Sequence, residues 1–167
     1  ENTLSQVLVT SLLPASYIDS DTVNKLAGQT AQLLNGIPLD EEQQRLAFDV
    51  FPSPKSTASL TAQVEKIFPQ LSNVIFHQVH VPVFYGMAQM VMLRSEYEFD
   101  TQAQLQAWQA NELVDYREAS ALTPVTNGET EAGEAPKLHI GGLMMLENGM
   151  QFWLVADEQR FNIALLG

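Results

Sequence analysis

The chain has 167 residues, 46% of them hydrophobic, a length that suits one domain able to bury a core without disulfides or a structural metal. Its 20 acidic and 8 basic residues give a formal net charge of −12, which repels nucleic-acid phosphates and anionic membrane surfaces alike. Cysteine is absent, which removes thiolate metal ligands and thiol nucleophiles, and the apolar stretches fall short of the ~20 residues that a bilayer span requires. The expectation is a soluble, cytoplasmic protein with no nucleic-acid and no membrane partner.

Gln6 to Leu13 is rich in β-formers and stops at Pro14, which predicts a strand. Ser20 is the expected N-cap of a helix in which Val23, Leu26, Ala27, Ala31 and Leu34 recur at helical spacing until Gly36. A short apolar segment, Arg45 to Phe51, ends at Pro52 and Pro54. A second helix is expected from Thr57 to Phe68, with Leu60, Val64, Ile67 and Phe68 on one side. Asn73 to Phe84 and Met87 to Phe99 read as two long strands joined tightly near Tyr85 and Gly86. Both are apolar on two faces, the pattern of strands covered on both sides. Asp100 is placed to cap a third helix, Thr101 to Asn111, and Leu113 to Tyr116 reads as a short strand. The acidic run from Asn127 to Pro136 has turn formers and no apolar anchor, the composition of a mobile surface loop. Lys137 to Leu146 and Met150 to Ala156 flank Glu147-Asn148-Gly149, and Asn-Gly between apolar runs is a strong hairpin signal.

This order of elements predicts an α+β fold: a mixed, mainly antiparallel sheet of about five or six strands with helices on one face. Three helices cover one face only, so strands apolar on both faces need another cover, and a second copy of the chain is the simplest. A homodimer is therefore expected, with Val74, Phe76, Met90, Met92, Met144 and Trp153 as candidate interface residues.

The histidines make poor metal ligands. His77 and His80 lie three apart on a strand and so point to opposite faces, while His139 is distant in sequence, and no metal site is expected. The methionines, Met87, Met90, Met92, Met144 and Met145, read as core and interface filling rather than a soft-metal site. Glu129, Glu131 and Glu134 read as solubilising charge.

Several segments in order resemble the C-terminal half of aspartate-semialdehyde dehydrogenases. They are Val9 to Ser16, Arg45 to Pro52 with its Ala-Phe-Asp step, Glu65-Lys66-Ile67, Val79 to Leu93, and Gly149 to Glu158 with its Trp-Leu-Val-Ala-Asp. The match is strongest to a branch of that family whose members keep the overall sequence and lose the site. The resemblance implies a glyceraldehyde-3-phosphate-dehydrogenase-like C-terminal domain, residues 1–167 forming the substrate and dimerisation unit. It also implies that the NAD(P)-binding domain upstream, its cysteine nucleophile and a terminal helix lie outside this chain. NADP is then a cofactor of the full-length family, with no cofactor held by this chain.

The resemblance places the family's catalytic histidine on Met87 and its substrate-binding arginine on His80. Its helix glutamate falls on Gln63, and its later arginine-bearing strand falls on His139 to Met144, centred on Gly142. The Gly turn after Ala15-Ser16 is replaced by Tyr17-Ile18-Asp19. A thioether has no proton to shuttle, and a mostly neutral imidazole does not make the bidentate pair of a guanidinium. Losing proton shuttle and anion clamps together implies abandoned catalysis: a homodimerisation domain of a semialdehyde-dehydrogenase-like protein. Two alternatives accompany it: a substrate domain of an NADP-dependent enzyme with altered specificity, and a small-ligand regulatory module whose pocket is lined by Met87, His80 and Tyr17.

Overall fold

A computed structural model describes residues 4–71, 73–98, 100–118 and 121–160. The expected strand end at Phe99 and the chain's last residues lie outside them. Seven strands form one sheet in the order β2-β3-β1-β4-β7-β6-β5. They are β1 (Leu4–Leu13), β2 (Phe51–Pro52), β3 (Val74–His80), β4 (Met87–Ser95), β5 (Val114–Arg117), β6 (Leu138–Leu146) and β7 (Gly149–Ala156). Two pairings, β1 with β3 and β5 with β6, are parallel; the other four are antiparallel. The α+β class and the mixed, mainly antiparallel sheet thus match the expectation.

The helices are α1 (Ser20–Leu34), α2 (Ala58–Ile67), α3 (Thr101–Ala110) and the one-turn α4 (Pro124–Asn127), with a 3-10 turn at Ala15–Tyr17. Asp100 caps α3 as expected, accepting from the Ala103 N–H. At α1 the cap is Asp19, one residue before Ser20, and its carboxylate accepts from both the Thr22 N–H and the Thr22 hydroxyl. The buried face of α1 also differs from the apolar stripe. Leu26 and Gln29 are buried while Ala27, Ala31 and Leu34 are exposed. Gln29 is fully engaged: its amide donates to the Gln44 carbonyl, and its side-chain oxygen accepts from the N–H groups of Leu46 and Ala47. One buried polar side chain therefore holds the 44–47 segment against α1.

The tight turn between β3 and β4 does not form. Strand β1 lies between them, paired parallel with β3 and antiparallel with β4. Residues 81–86 instead carry the chain across the end of β1, stitched to it by Val81 N–H to Leu13 O (3.1 Å), Ala15 N–H to Val83 O (2.8 Å) and Ser16 N–H to Phe84 O (3.1 Å). Apolar periodicity shows that two strands follow each other, but not that a third, far earlier in the chain, intervenes. The Asn-Gly hairpin forms as expected between β6 and β7.

Register divides the sheet into two faces. Val9, Val91 and Phe152 share one face and form the main core with Ile140 and Met150; Trp108 of α3 packs edge-on to Phe152 with centroids 4.9 Å apart. Leu8, Ile75, Met92 and Gln151 share the other. Among the described residues, cover on that second face is confined to one end: Leu122 packs on Ala88 and Val155, and the Trp153 indole N–H donates to the Leu122 carbonyl at 2.9 Å. The helices α1 and α3 thus serve the first face, while segment 121–128, with α4, lies on the second. Among the described residues no helix is long and apolar enough to cross a membrane.

Candidate functional site

Sheet register brings two of the four candidate positions into one row. His80 pairs with Leu13, Leu12 pairs with Ala88, and Met87 pairs with Ala156, so the row reads Phe51, His80, Leu13, Met87, Ala156 across five strands. His80 and Met87 are two strands apart, about 10 Å at ordinary strand spacing. Leu13, 1% exposed, fills the place between them. The strongest polar contact described for Met87 is a 4.0 Å approach of the Gln89 amide to its sulfur. The His80 ring stacks on Phe51 with centroids 5.1 Å apart. Burial, with the Lys55 charge beside it, holds the His80 imidazole below its ordinary pKa, so it is neutral at physiological pH. Gln63 is exposed on α2. Gly142 is exposed at a register shift in β6, with a φ of +59°. Neither joins the row.

Beside Met87 the structure holds a carboxylate that sequence reasoning missed. Glu158 is buried, accepting from the Ser16 hydroxyl through one oxygen and from the Gly86 N–H (3.1 Å) through the other. It ties the segment after β7 to both the β1 turn and the start of β4. Gly86 has a φ of +87°, and a Cβ there would come within 2.7 Å of the Gly128 Cα and the Pro124 carbonyl, so only glycine fits. The adjacent Asp157 accepts from Gln159 N–H and Arg160 N–H, the geometry of an N-cap, and its other oxygen accepts from Thr130 N–H. Arg160 donates to the Glu131 carbonyl. The 127–136 run expected to be mobile is therefore anchored at two points, and Asn127 closes α4.

The donor set does not suit a dinucleotide. The turn after β1 carries Tyr17 and Ile18 where close backbone approach would be needed, and the N-terminus of α1 is occupied by the Asp19 carboxylate, where a phosphate would need free N–H groups. A cleft of about 610 Å³ between β5, β6 and segment 126–135 contains Asp115, Arg117 and His139. There Asp115 accepts from Arg117 (2.7 and 2.8 Å) and contacts His139 Nδ1 at 2.9 Å. Burial works to raise the Asp115 pKa, but these partners outweigh it and hold the carboxyl below its usual range. A second cavity, about 290 Å³, opens beside His80 and Phe51.

The six candidate interface residues do not share a face. Val74 pairs with Val7 opposite Leu93, is 7% exposed and turns into the core, as does Phe76 beside Val9. Met90, Met92, Trp153 and Met144 lie on the opposite face with Leu8 and Ile75. There Ile75 is 38%, Met90 37% and Met144 57% exposed.

No protein-family model matches the chain. It is similar to an aspartate-semialdehyde dehydrogenase of Vibrio mimicus, 27% identical over 173 residues, spanning 93% of this chain and 53% of that relative. The solved structure of a probable aspartate-semialdehyde dehydrogenase from Pseudomonas aeruginosa superposes with a TM-score of 0.85 at 22% identity, over 99% of this chain and 55% of that one. The chain thus shares the α+β fold of that solved structure and is similar in sequence to about half of an aspartate-semialdehyde dehydrogenase. Within that class the sequence is 58% identical over 167 residues to the USG-1 protein homolog of Haemophilus influenzae, covering 99% of this chain and 50% of that protein. The likeness is to the Usg-type branch, and the chain spans about half the length of the relatives it matches.

Proposed function

We propose that this chain is the catalytically silent homodimerisation domain of a semialdehyde-dehydrogenase-like protein, with the open sheet face as the interface. The observation that carries it is the charge and exposure of that face. Among its described strand residues the sole carboxylate is Asp115, already engaged by Arg117 and His139, although the chain carries a net charge of −12. Two copies can therefore approach face to face with no carboxylate repulsion, burying Ile75, Met90, Met92 and Met144 around a two-fold axis while the exposed Arg94 stays at the end of β4. The scale of a stable contact is ~800 Å² per partner.

Silence rests on the row beneath the helices. It offers a thioether, which has no proton to shuttle, at the position of the family's catalytic histidine, and the one imidazole of the row, His80, is stacked on Phe51 and separated from Met87 by Leu13. NADP and a nucleophile belong, in this reading, to an upstream dinucleotide-binding domain of the longer protein. Sedimentation velocity at micromolar concentration is the test: the proposal expects a dimer, and a soluble monomer overturns it. Measurable NADP-dependent aldehyde oxidation by the longer protein, lost on substitution within this row, would overturn the silent reading and support an enzyme of altered specificity.

A further inference from the structure

The sulfur of this chain is unevenly placed. There are 6 methionines and no cysteine, so thioethers are its only oxidisable sulfur. Met150 lies in the core and is 0% exposed. Met87, expected from the sequence to line a pocket with His80 and Tyr17, is half-buried and does not line the cavity those two residues share. Met90, Met92 and Met144 all stand on the open sheet face. Met145 is paired with Met150 and so turns to the covered side, at its margin, where it is 54% exposed against 57% for Met144. Two adjacent methionines of near-equal exposure therefore stand on opposite faces.

Met92 and Met144 flank one residue. Each pairs with Gln151 on the strand between them, so the open face carries the row Leu8, Met92, Gln151, Met144. Directly opposed side chains on neighbouring strands have Cβ atoms about 5 Å apart, which puts the Gln151 amide within reach of both sulfurs. A thioether is a weak acceptor, whereas a sulfoxide is polar and takes a hydrogen bond from an amide or from water. One oxidation step thus turns a row that suits a dry apolar contact into one that suits a hydrated surface.

We propose that Met92 and Met144, with Met90 beside them, form a peroxide-sensitive modification site that controls self-association through the open face. This control presupposes the face-to-face dimer proposed above. Each thioether sulfur loses two electrons and takes one oxygen from a hydroperoxide; the O–O bond breaks and, with hydrogen peroxide, water leaves. A dithiol-dependent reductase reverses the step, its two thiols closing to a disulfide while the sulfoxide oxygen departs as water. In the dimer the three sulfurs are covered, so oxidation captures the separated chain and draws the equilibrium toward it. Met150 is shielded in the core, so the fold outlasts the treatment.

The experiment treats the chain with dilute hydrogen peroxide at concentrations below and above its dimer transition, maps the oxidised methionines by mass spectrometry, and follows with sedimentation velocity. Oxidation of Met90, Met92 and Met144 should slow as protein concentration rises, with Met145 unaffected and Met150 slowest. The oxidised chain should self-associate at least about tenfold more weakly, and a methionine sulfoxide reductase with dithiothreitol should restore the dimer. A Met90→Leu/Met92→Leu/Met144→Leu chain keeps side-chain volume and should stay dimeric after peroxide. An untreated chain that is monomeric at every concentration overturns the dimer and its control together. In a chain that does dimerise, three outcomes overturn the control alone: a dimer left intact by full oxidation of these residues, Met144 oxidised as fast as Met145 at every concentration, or equal loss of association by the triple-leucine chain.

Discussion

The two faces of one sheet are covered to very different extents. On the face under α1 and α3, Leu13, Val91 and Phe152 pack as core, and the row of His80 and Met87 is closed by Leu13. On the other face Met90, Ile75 and Met144 are exposed, and its one strand carboxylate, Asp115, is paired with Arg117. The same strands supply both, since alternate residues of β4 go to each side. On the reading proposed above, the covered face has given up its chemistry and the open face serves a second copy of the chain.

Substitutions should separate the faces. Phe152→Ala, on the covered side, should cost ~3–5 kcal/mol of unfolding free energy through cavity formation and the lost Trp108 contact, measured by urea denaturation. Met90→Glu, on the open side, should leave the monomer's fold within ~1 kcal/mol and weaken self-association by about 30-fold, roughly 2 kcal/mol. If Met90→Glu unfolds the chain as Phe152→Ala does, the two faces are not distinct in the way described.

Gln29→Leu should cost ~1–2 kcal/mol, because the N–H groups of Leu46 and Ala47 lose their acceptor, and amide exchange at those two residues should accelerate. The smallest effect concerns pH. Burial and then Lys55 depress the His80 pKa below 6.5 in the fold, so the unfolded chain binds more protons as pH falls. Stability should be constant above about pH 7, begin to fall near 6.5 and keep falling until the folded-state pKa is passed. His80→Gln should flatten that slope in denaturation curves between about pH 7.5 and 5; an unchanged slope would assign it elsewhere.

What could be read from the sequence was local, and what could not was a matter of register. Asp100 and the Asn148-Gly149 turn act within a few residues of themselves, and both behave as their chemistry dictates. The period of two identified alternate residues within β3 and within β4, but the relative phase of the two strands depends on β1, which pairs with both. That is why alternation alone does not separate Val74 and Phe76 from Met90 and Met92, although they occupy opposite faces. Gln29 and Glu158 escaped for a different reason: a buried polar side chain looks like any exposed one until its partners, 15 or more positions away, are known. The acidic 127–136 run is anchored by Asp157 and Arg160, which no composition window includes. At the candidate site, the thioether of Met87 and the imidazole of His80 could be read from the sequence, while the closing of the row by Leu13 and the cavity beside it could not.

The two tryptophans stand on opposite faces, Trp108 over the core and Trp153 toward the open side, which allows the interface to be located as well as detected. In a Trp108→Phe chain, acrylamide quenching of Trp153 should fall as concentration rises through the dimer transition, and Met90→Glu should abolish that dependence. Quenching of Trp153 that stays constant while the chain dimerises, or a chain that never dimerises, would contradict the assignment of the open face to a second copy.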